Sequence, residues 1–514
     1  MKKVNQNTPQ VWQELLRHLL LGTDQLSVPE SWPQQLEAYQ IKGEDVPTQL
    51  LELIGKTHLL TKGAQALPRW STPLPAPPPP SQGTPCSWRS VQHLQLILSG
   101  HHERALPEFI RLLSQYKKRL PAESIPALLD QCTQTPALWA LLQPLLGEGE
   151  YWLIRQHPHW SRLLPNQGAF DDWPAAKGKE QYTNLAAYRQ ADPVAARDSL
   201  SDHWLNLDHR TQARVLQALE VNLGEEDEAF LVHCLQSKRK EVRVVAGDLL
   251  ARLPKSALVE QLFELAANVL ERKAGKLQIN LPESIPGISK EYGIYPTGSK
   301  MPGGLKINWL QQLISRIPFS RWTSSWKVSA AEVVQLFAQT NNAVSFLGAL
   351  NESLLRFPDQ EGHEALIRWW LLSGQEVLWN NKNGKKLLLQ TSADFFNEGL
   401  TKWLEQFGPL VPADTLPAHW LATSTHPWSA QLSKIVVLGF QDVIQGRRTA
   451  DWHLWHYRQI FEAAGYNSDP SLLEQFRSGW SFRNNSFGRW HGDLEKMLQT
   501  LHFRKEMAAA INSK

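Results

Sequence analysis

Three histidine groups are the first places to look for chemistry in this chain: His101-His102-Glu103, His157-x-His159 and His453-x-x-His456. A zinc site needs three or four nitrogen, sulfur or carboxylate ligands at short regular spacing. Only His453 and His456 fall on one helical face, and neither a third ligand nor the carboxylate base of an H-E-x-x-H pattern accompanies them. The spacing predicts surface or seam histidines and no metal. Cys86, Cys132 and Cys234 are odd in number, far apart and free of any C-x-x-C pairing, which argues against a disulfide framework and a zinc site and for a reducing compartment. Cys234 falls on an apolar helical face, where a thiol is inert packing.

Other catalytic patterns are missing or have simpler readings. No G-x-S-x-G occurs, and Gly298-Ser-Lys-Met-Pro-Gly-Gly304 lacks both the P-loop order and a preceding strand. Asp171-Asp172 and Glu225-Glu226-Asp227-Glu228 read as helix starts, because negative charge is favoured beside the N-terminal end of the helix dipole. No catalytic residue and no cofactor is predicted. Two basic clusters remain as a candidate interaction patch: Lys238, Arg239, Lys240 and Arg243, and Arg483, Arg489 and Trp490 beside Asn484 and Asn485. Cations in a turn can neutralise phosphates, and aromatic rings can stack on bases.

Helices must position these groups. Leu106, Phe109, Ile110 and Leu113 share one helical face, as do Leu138, Leu141, Leu142 and Leu145. Val242, Val245, Ala246, Leu249, Leu250 and Leu253 follow the helical period without a miss, and Leu258, Leu262, Leu265, Ala266 and Val269 repeat it. Starts are legible: Thr135-Pro136 and Asp192-Pro193 place an oxygen acceptor before a first-turn proline, and Ser329 with Glu332 forms a capping box. The short apolar runs Lys385–Leu389 and Ile435–Leu438 are read as helix, and no sustained period-2 alternation predicts a strand. Connections of a few residues imply antiparallel helix pairs.

Punctuation divides the chain. Residues 1–70 form a helical N-terminal cap in which Leu50, Leu51, Leu53, Ile54, Leu59 and Leu60 cluster. Residues 71–87, with the run Pro77-Pro78-Pro79-Pro80, form a polyproline linker. Helical periodicity fills 88–277. From 278 to 304, prolines and glycines disfavour helix throughout and make a loop of unusual length. Helix returns over 305–514.

Composition supports this reading. At 514 residues one compact core is too small a container, but an array of units that each pack on their neighbours has no such limit. Fifty-three basic and 50 acidic side chains leave a formal charge of only +3, so no global field attracts nucleic acid. The stretch Val11–Leu21 is broken by Gln13, Glu14, Arg17 and His18, unlike a signal peptide, and no run is long enough to span a bilayer; a cytoplasmic location without membrane contact is expected. Twenty-two tryptophans against 4 methionines suit half-buried seams between helices.

Ser237-Lys-Arg-Lys-Glu-Val-Arg243 leading into Leu253-Pro254 is similar to the unit of HEAT-type α-solenoids, although Arg214-Val215 and Arg243-Val244, 29 residues apart, align only briefly. With Leu19-Leu-Leu-Gly22-Thr23-Asp24, His157-Pro158-x-Trp160 and Arg189-x-x-Asp192-Pro193-x-x-Ala-Arg197, the chain resembles a bacterial family of unassigned activity with a HEAT-like middle. That resemblance implies genes encoded near a MoxR-type AAA ATPase, a von Willebrand factor A-type protein and a SWIM zinc-finger protein. The expectation is an all-α chain with an α-solenoid of degenerate HEAT-like pairs over 88–277. It would act as a non-catalytic scaffold or adaptor for such an assembly system. The alternative is a nucleic-acid-binding or DNA base-processing protein, as some HEAT-like glycosylases are.

Overall fold

Helical periodicity dictates nearly all of the regular structure. A computed structural model describes residues 8–24, 30, 32–63, 83–164, 173–297, 304–446, 454–480 and 485–513, and within them holds 28 α-helices and one two-stranded hairpin. The protein is all-α apart from that hairpin. Its backbone separates into two compact units, Met1–Pro77 and Pro78–Lys514; the proline run 77–80 lies outside the described residues. No described helix is long and apolar enough to cross a membrane.

In the first unit α1 (Thr8–Leu21), α2 (Trp32–Ala38) and α3 (Val46–Gly63) bury Leu15, Trp32, Leu50 and Leu53. The His18 ring lies 5.3 Å from that of Trp32. Leu51 and Leu59 stand exposed, because neighbours one position apart on a helix point about 100° away from each other and three helices close over one stripe.

The second unit opens with α4 (Trp88–Leu98), α5 (Leu106–Gln115), α6 (Ile125–Gln134), α7 (Pro136–Leu142) and α8 (Glu148–Gln156). The α5 stripe Leu106, Phe109, Ile110 and Leu113 is buried as expected, with Leu128, Leu129, Leu142 and Ile154 facing it. Leu141 is at the edge of its stripe and stays open to solvent. The next stretch contains α9 (Lys179–Ala191), α10 (Pro193–His203), α11 (His209–Leu216), α12 (Glu228–Leu235), α13 (Lys240–Leu250) and α14 (Ala257–Ala267). Asp192 caps α10 by accepting from Ala195 N–H, whereas the Thr135 side chain makes no cap bond to α7. In α13 Val242, Ala246, Leu249 and Leu250 are buried, while Val245 lies half-buried on the flank towards α11.

The expected absence of strands needs correction at one place. β1 (Leu270–Lys273) and β2 (Lys276–Ile279) pair antiparallel across Ala274-Gly275, both with positive φ, the geometry of a two-residue hairpin turn. Only Leu270 of β1 is buried, so no alternation marks it. Beyond the hairpin, the stretch expected to be loop throughout contains one short helix, Ile288–Glu291, and meets α13 through Tyr292, Gly293 and Tyr295. A Cβ on Gly293, whose φ is +74°, would stand 2.4 Å from the Arg243 carbonyl oxygen, and one on Gly247 2.4 Å from that of Tyr292. The two backbones therefore touch through glycine, and the loop is pinned.

The remaining helices are α15 (Ile288–Glu291), α16 (Gly304–Ile314), α17 (Phe319–Trp326), α18 (Ala330–Ala338), α19 (Ala343–Arg356), α20 (Gln360–Ser373), α21 (Glu376–Trp379), α22 (Lys382–Leu389), α23 (Ala393–Phe407), α24 (Leu416–Thr423), α25 (Ala430–Gly446), α26 (Tyr457–Asn467), α27 (Leu473–Arg477) and α28 (Asn485–Asn512). The Ser329–Glu332 capping box forms at the start of α18. The runs at 385–389 and 435–438 are helical, in α22 and α25. Trp309, Leu310 and Leu313 of α16 share one core with Val242 and Leu250 of α13, so the apolar interior is continuous from α9 onwards. The last helix returns to the first core of this unit: Met507 and Ile511 are buried among the α5 and α6 side chains. Arg504 clamps Glu108, its Nε 2.5 Å from Oε2, and also donates to the Gly465 and Ser468 carbonyls.

Candidate functional site

The sequence singled out Lys238, Arg239, Lys240 and Arg243, and the fold gives them a setting. Helices α11 and α13 lie side by side, and Arg214 of the first and Lys240 of the second line the groove between them. Between the two helices runs a groove of about 400 Å³ with Ala213, Val244 and Val245 in its floor and Arg214, Gln217, Lys240 and Glu241 along it. Lys238 and Arg239 stand exposed in the turn that leads into α13.

The docked loop fixes the basic edge. Glycine contact at 247 and 293 brings Tyr295 against α13, where Arg243 Nε donates to its hydroxyl at 2.9 Å and Nη2 also donates to it. Arg243 Nη1 donates to the Ser237 carbonyl at 2.6 Å. The Lys240 ammonium sits 4.8 Å above the Tyr295 ring, a favourable cation–π distance. Among the described residues, none of Arg214, Lys238, Arg239, Lys240 and Arg243 forms an ion pair with a carboxylate. Glu241 lines the groove without engaging them. The site carries an unneutralised positive edge over an aliphatic floor.

Of the second basic cluster only the Trp490 side chain lies among the described residues. Arg483 lies outside the described residues, as does the side chain of Arg489. Trp490 is buried, its ring 5.2 Å from Phe440 and 6.2 Å from Phe461. The expected exposed stacking ring is a core residue, because α28 turns that face onto α25 and α26.

The histidine groups have structural partners. His102 adopts a left-handed backbone and stacks on Phe503 at 4.4 Å; burial lowers its pKa, and His101 adds to the effect. His157 stacks on Trp160 at 4.0 Å, and His159 Nε2 lies 3.2 Å from Thr133 Oγ1. His456 Nε2 reaches the Val411 carbonyl at 2.8 Å, and His453 is outside the described residues. Among the described residues no group of three or more His, Cys, Asp or Glu side chains is placed to hold a metal. Burial pushes the Cys132 and Cys234 thiols up to about 11 and about 12, so both are protonated at neutral pH. Asp171 and Asp172 fall outside the described residues.

One pair escaped the sequence reading. Asp227, read as part of a solvated acidic helix start, is buried and salt-bridged to Arg189 at 2.7 Å. Arg189, wholly buried, also donates to the carbonyls of Val221, Pro193 and Asn222. The only hint was Arg189 itself, a charged residue within an otherwise helical motif.

These features define an all-α protein with an unneutralised basic groove braced by a pinned loop. The chain belongs to the family of unknown function DUF5691, whose model matches residues 14–511. No curated protein and no solved structure matches it.

Proposed function

We propose that this protein is a non-catalytic binding protein, an α-solenoid of degenerate HEAT-like helix pairs, that receives an acidic segment of a protein partner in the groove between α11 and α13. The observation that carries the reading is the set of five cations, Arg214, Lys238, Arg239, Lys240 and Arg243, left without a carboxylate partner beside an aliphatic floor. Such a surface complements a peptide that alternates acidic and small apolar side chains, since charge complementarity steers encounter and fixes register. Nucleic acid fits less well. Sequence-tolerant single-strand binding uses free aromatic faces, yet the Tyr295 face is occupied by Lys240 and Trp490 is buried. An AAA ATPase or a von Willebrand factor A-type protein, the neighbours implied by the sequence resemblance, is the first partner to test.

Fluorescence polarisation of a labelled Asp/Glu/Val peptide, alongside a single-stranded oligonucleotide of equal charge, tests the reading. The peptide should bind, and Arg214→Glu with Arg239→Glu and Lys240→Glu should weaken it at least tenfold, about 1.4 kcal/mol. Tighter binding of the oligonucleotide, lost in the same variant, would replace the protein partner with nucleic acid. A tagged pull-down with and without nuclease checks the same choice in the native host.

A further inference from the structure

A second cavity, far along the chain from the basic groove, has a different chemistry. Helices α22 and α24 and the segment 424–426 enclose about 240 Å³, smaller than the roughly 300–1,000 Å³ of drug-sized ligand sites. Leu388 and Trp420, both buried, give it an apolar wall, and Leu389, 70% exposed, stands at the mouth. Lys385, His419 and His426 line it together with Thr423, Ser424 and Thr425.

Lys385 and His419 are not used up by the fold. Lys385 forms no ion pair among the described residues, nor do Lys382 and Lys386 on the same helix, and no carboxylate lines the cavity. The His419 ring rests 5.4 Å from Trp379, and neither of its ring nitrogens has a hydrogen-bond partner among the described residues. His426 packs 5.4 Å from Phe396, and its Nε2, 3.3 Å from Thr391 Oγ1, donates to that oxygen, because the Thr391 hydroxyl itself donates to the Leu388 carbonyl at 2.7 Å. Burial lowers the pKa of both imidazoles, and Lys385 lowers that of His419 further. At neutral pH each ring is thus uncharged with one N–H; that of His426 is held by Thr391, and that of His419 remains for a ligand. The ammonium is then the cavity's one full charge among the described residues.

We infer that this cavity binds a small monocarboxylate with an aliphatic body: the carboxylate meets Lys385 and an imidazole N–H, and the hydrocarbon lies on Leu388, Leu389 and Trp420. A single anionic head suits one ammonium, and Leu388, Leu389 and Trp420 give a hydrocarbon body an apolar contact that a fully polar anion such as inorganic phosphate does not use.

Isothermal titration calorimetry of the full chain with hexanoate, hexylamine and inorganic phosphate tests this, with histidine side-chain NMR to locate the ligand. Hexanoate should bind saturably at one site and move the ring signals of His419 and His426, while hexylamine and phosphate do neither. Lys385→Gln should weaken hexanoate about tenfold, and Leu389→Asp at least as much. Both positions are exposed, and unchanged thermal unfolding checks that the variants are folded. No saturable binding of hexanoate, equal binding of hexylamine, or affinity that survives both substitutions overturns the assignment. The groove variant with Arg214→Glu, Arg239→Glu and Lys240→Glu should bind hexanoate as the parent does, which keeps this test separate from that of the basic groove.

Discussion

Helix α13 carries charge at both ends, and the two ends are opposites. At its start Lys240 and Arg243 join Arg214 and the exposed turn cations with no carboxylate partner among the described residues. Near its end Asp248 gathers three guanidinium groups: Arg356 at 2.5 Å, Arg252 at 3.2 Å and Arg316 at 3.7 Å. Arg252 also reaches Glu220 at 3.2 Å. Burial, with the neighbouring Arg356, pulls the Arg316 guanidinium down to about 10, still charged at neutral pH. One end is ion-paired and half-buried; the other holds cations without a carboxylate partner among the described residues. Charge that is paired inside a seam holds a fold together, and charge left unpaired at a surface is free to meet something else.

The deepest ion pair should be the costliest to break. Asp227→Ala leaves the wholly buried Arg189 guanidinium facing carbonyls alone, and removing one partner of a buried pair costs about 3–5 kcal/mol. Urea denaturation should show that loss with little change in the slope. A cost under about 1 kcal/mol would mean that the carbonyl ring satisfies Arg189 by itself.

Asp248→Asn comes next, at about 1–3 kcal/mol, because its side chain is 27% exposed and solvent screens part of the field. Burial raises the Asp248 pKa, but Arg356, Arg316 and Arg252 outweigh it and hold the group below its ordinary value near 3.8. A carboxyl with a depressed folded pKa contributes stability that is fully present above the unfolded value and is lost as pH falls through the folded one. The gap between parent and Asp248→Asn should therefore be constant at neutral pH and close below about pH 4. A gap that widens in acid would reverse the sign of the coupling.

Gly293→Ala sharpens the contrast from the side of the loop. A methyl group there meets the Arg243 carbonyl at 2.4 Å on a backbone with positive φ, so about 1–3 kcal/mol of strain is expected. Because the same contact positions Tyr295 beneath Lys240, binding of the acidic peptide should also weaken. Lost stability with unchanged binding would detach the loop from the groove.

Much of this was legible in the sequence because it is local. The α5 stripe, the Asp192 cap and the Ser329–Glu332 box depend on residues within a turn or two of one another. What stayed hidden is long-range. Asp248 and Arg356 are 108 residues apart, so sequence could show the charges of α13 but not which were already paired. The return of α28 onto α5, which buries Met507 and Ile511, has no local signature, and the same packing put Trp490 into the core. The hairpin at 270–279 was missed because β1 has no alternation and that of β2, Leu277 and Ile279 against Lys276 and Gln278, lasts only four residues. The basic half of the groove was visible as a cluster, while its floor and its Tyr295 brace required the fold.

The smallest effect on stability belongs to the substitutions with the largest expected effect on binding. Replacing Arg214, Arg239 and Lys240 by Glu breaks no ion pair, since no described carboxylate loses its partner; at the exposed Arg239 and Lys240 such changes stay within about 0.5 kcal/mol each, and the half-buried Arg214 gives up one hydrogen bond to Thr211, about 0.5–1.5 kcal/mol. Lys240 gives up only its place over Tyr295, about 0.5–1 kcal/mol at an exposed site. Thermal unfolding should hardly move, while affinity for the acidic peptide falls at least tenfold. The salt dependence of the parent separates the two ends of α13 again: peptide affinity should decline from low to physiological ionic strength, where exposed charges are screened over about 8–10 Å, whereas the half-buried Asp248 network should respond little. If the triple reversal instead cost as much stability as Asp248→Asn, the start of α13 would be a structural charge cluster like its end, and the groove would lose its claim as a recognition surface.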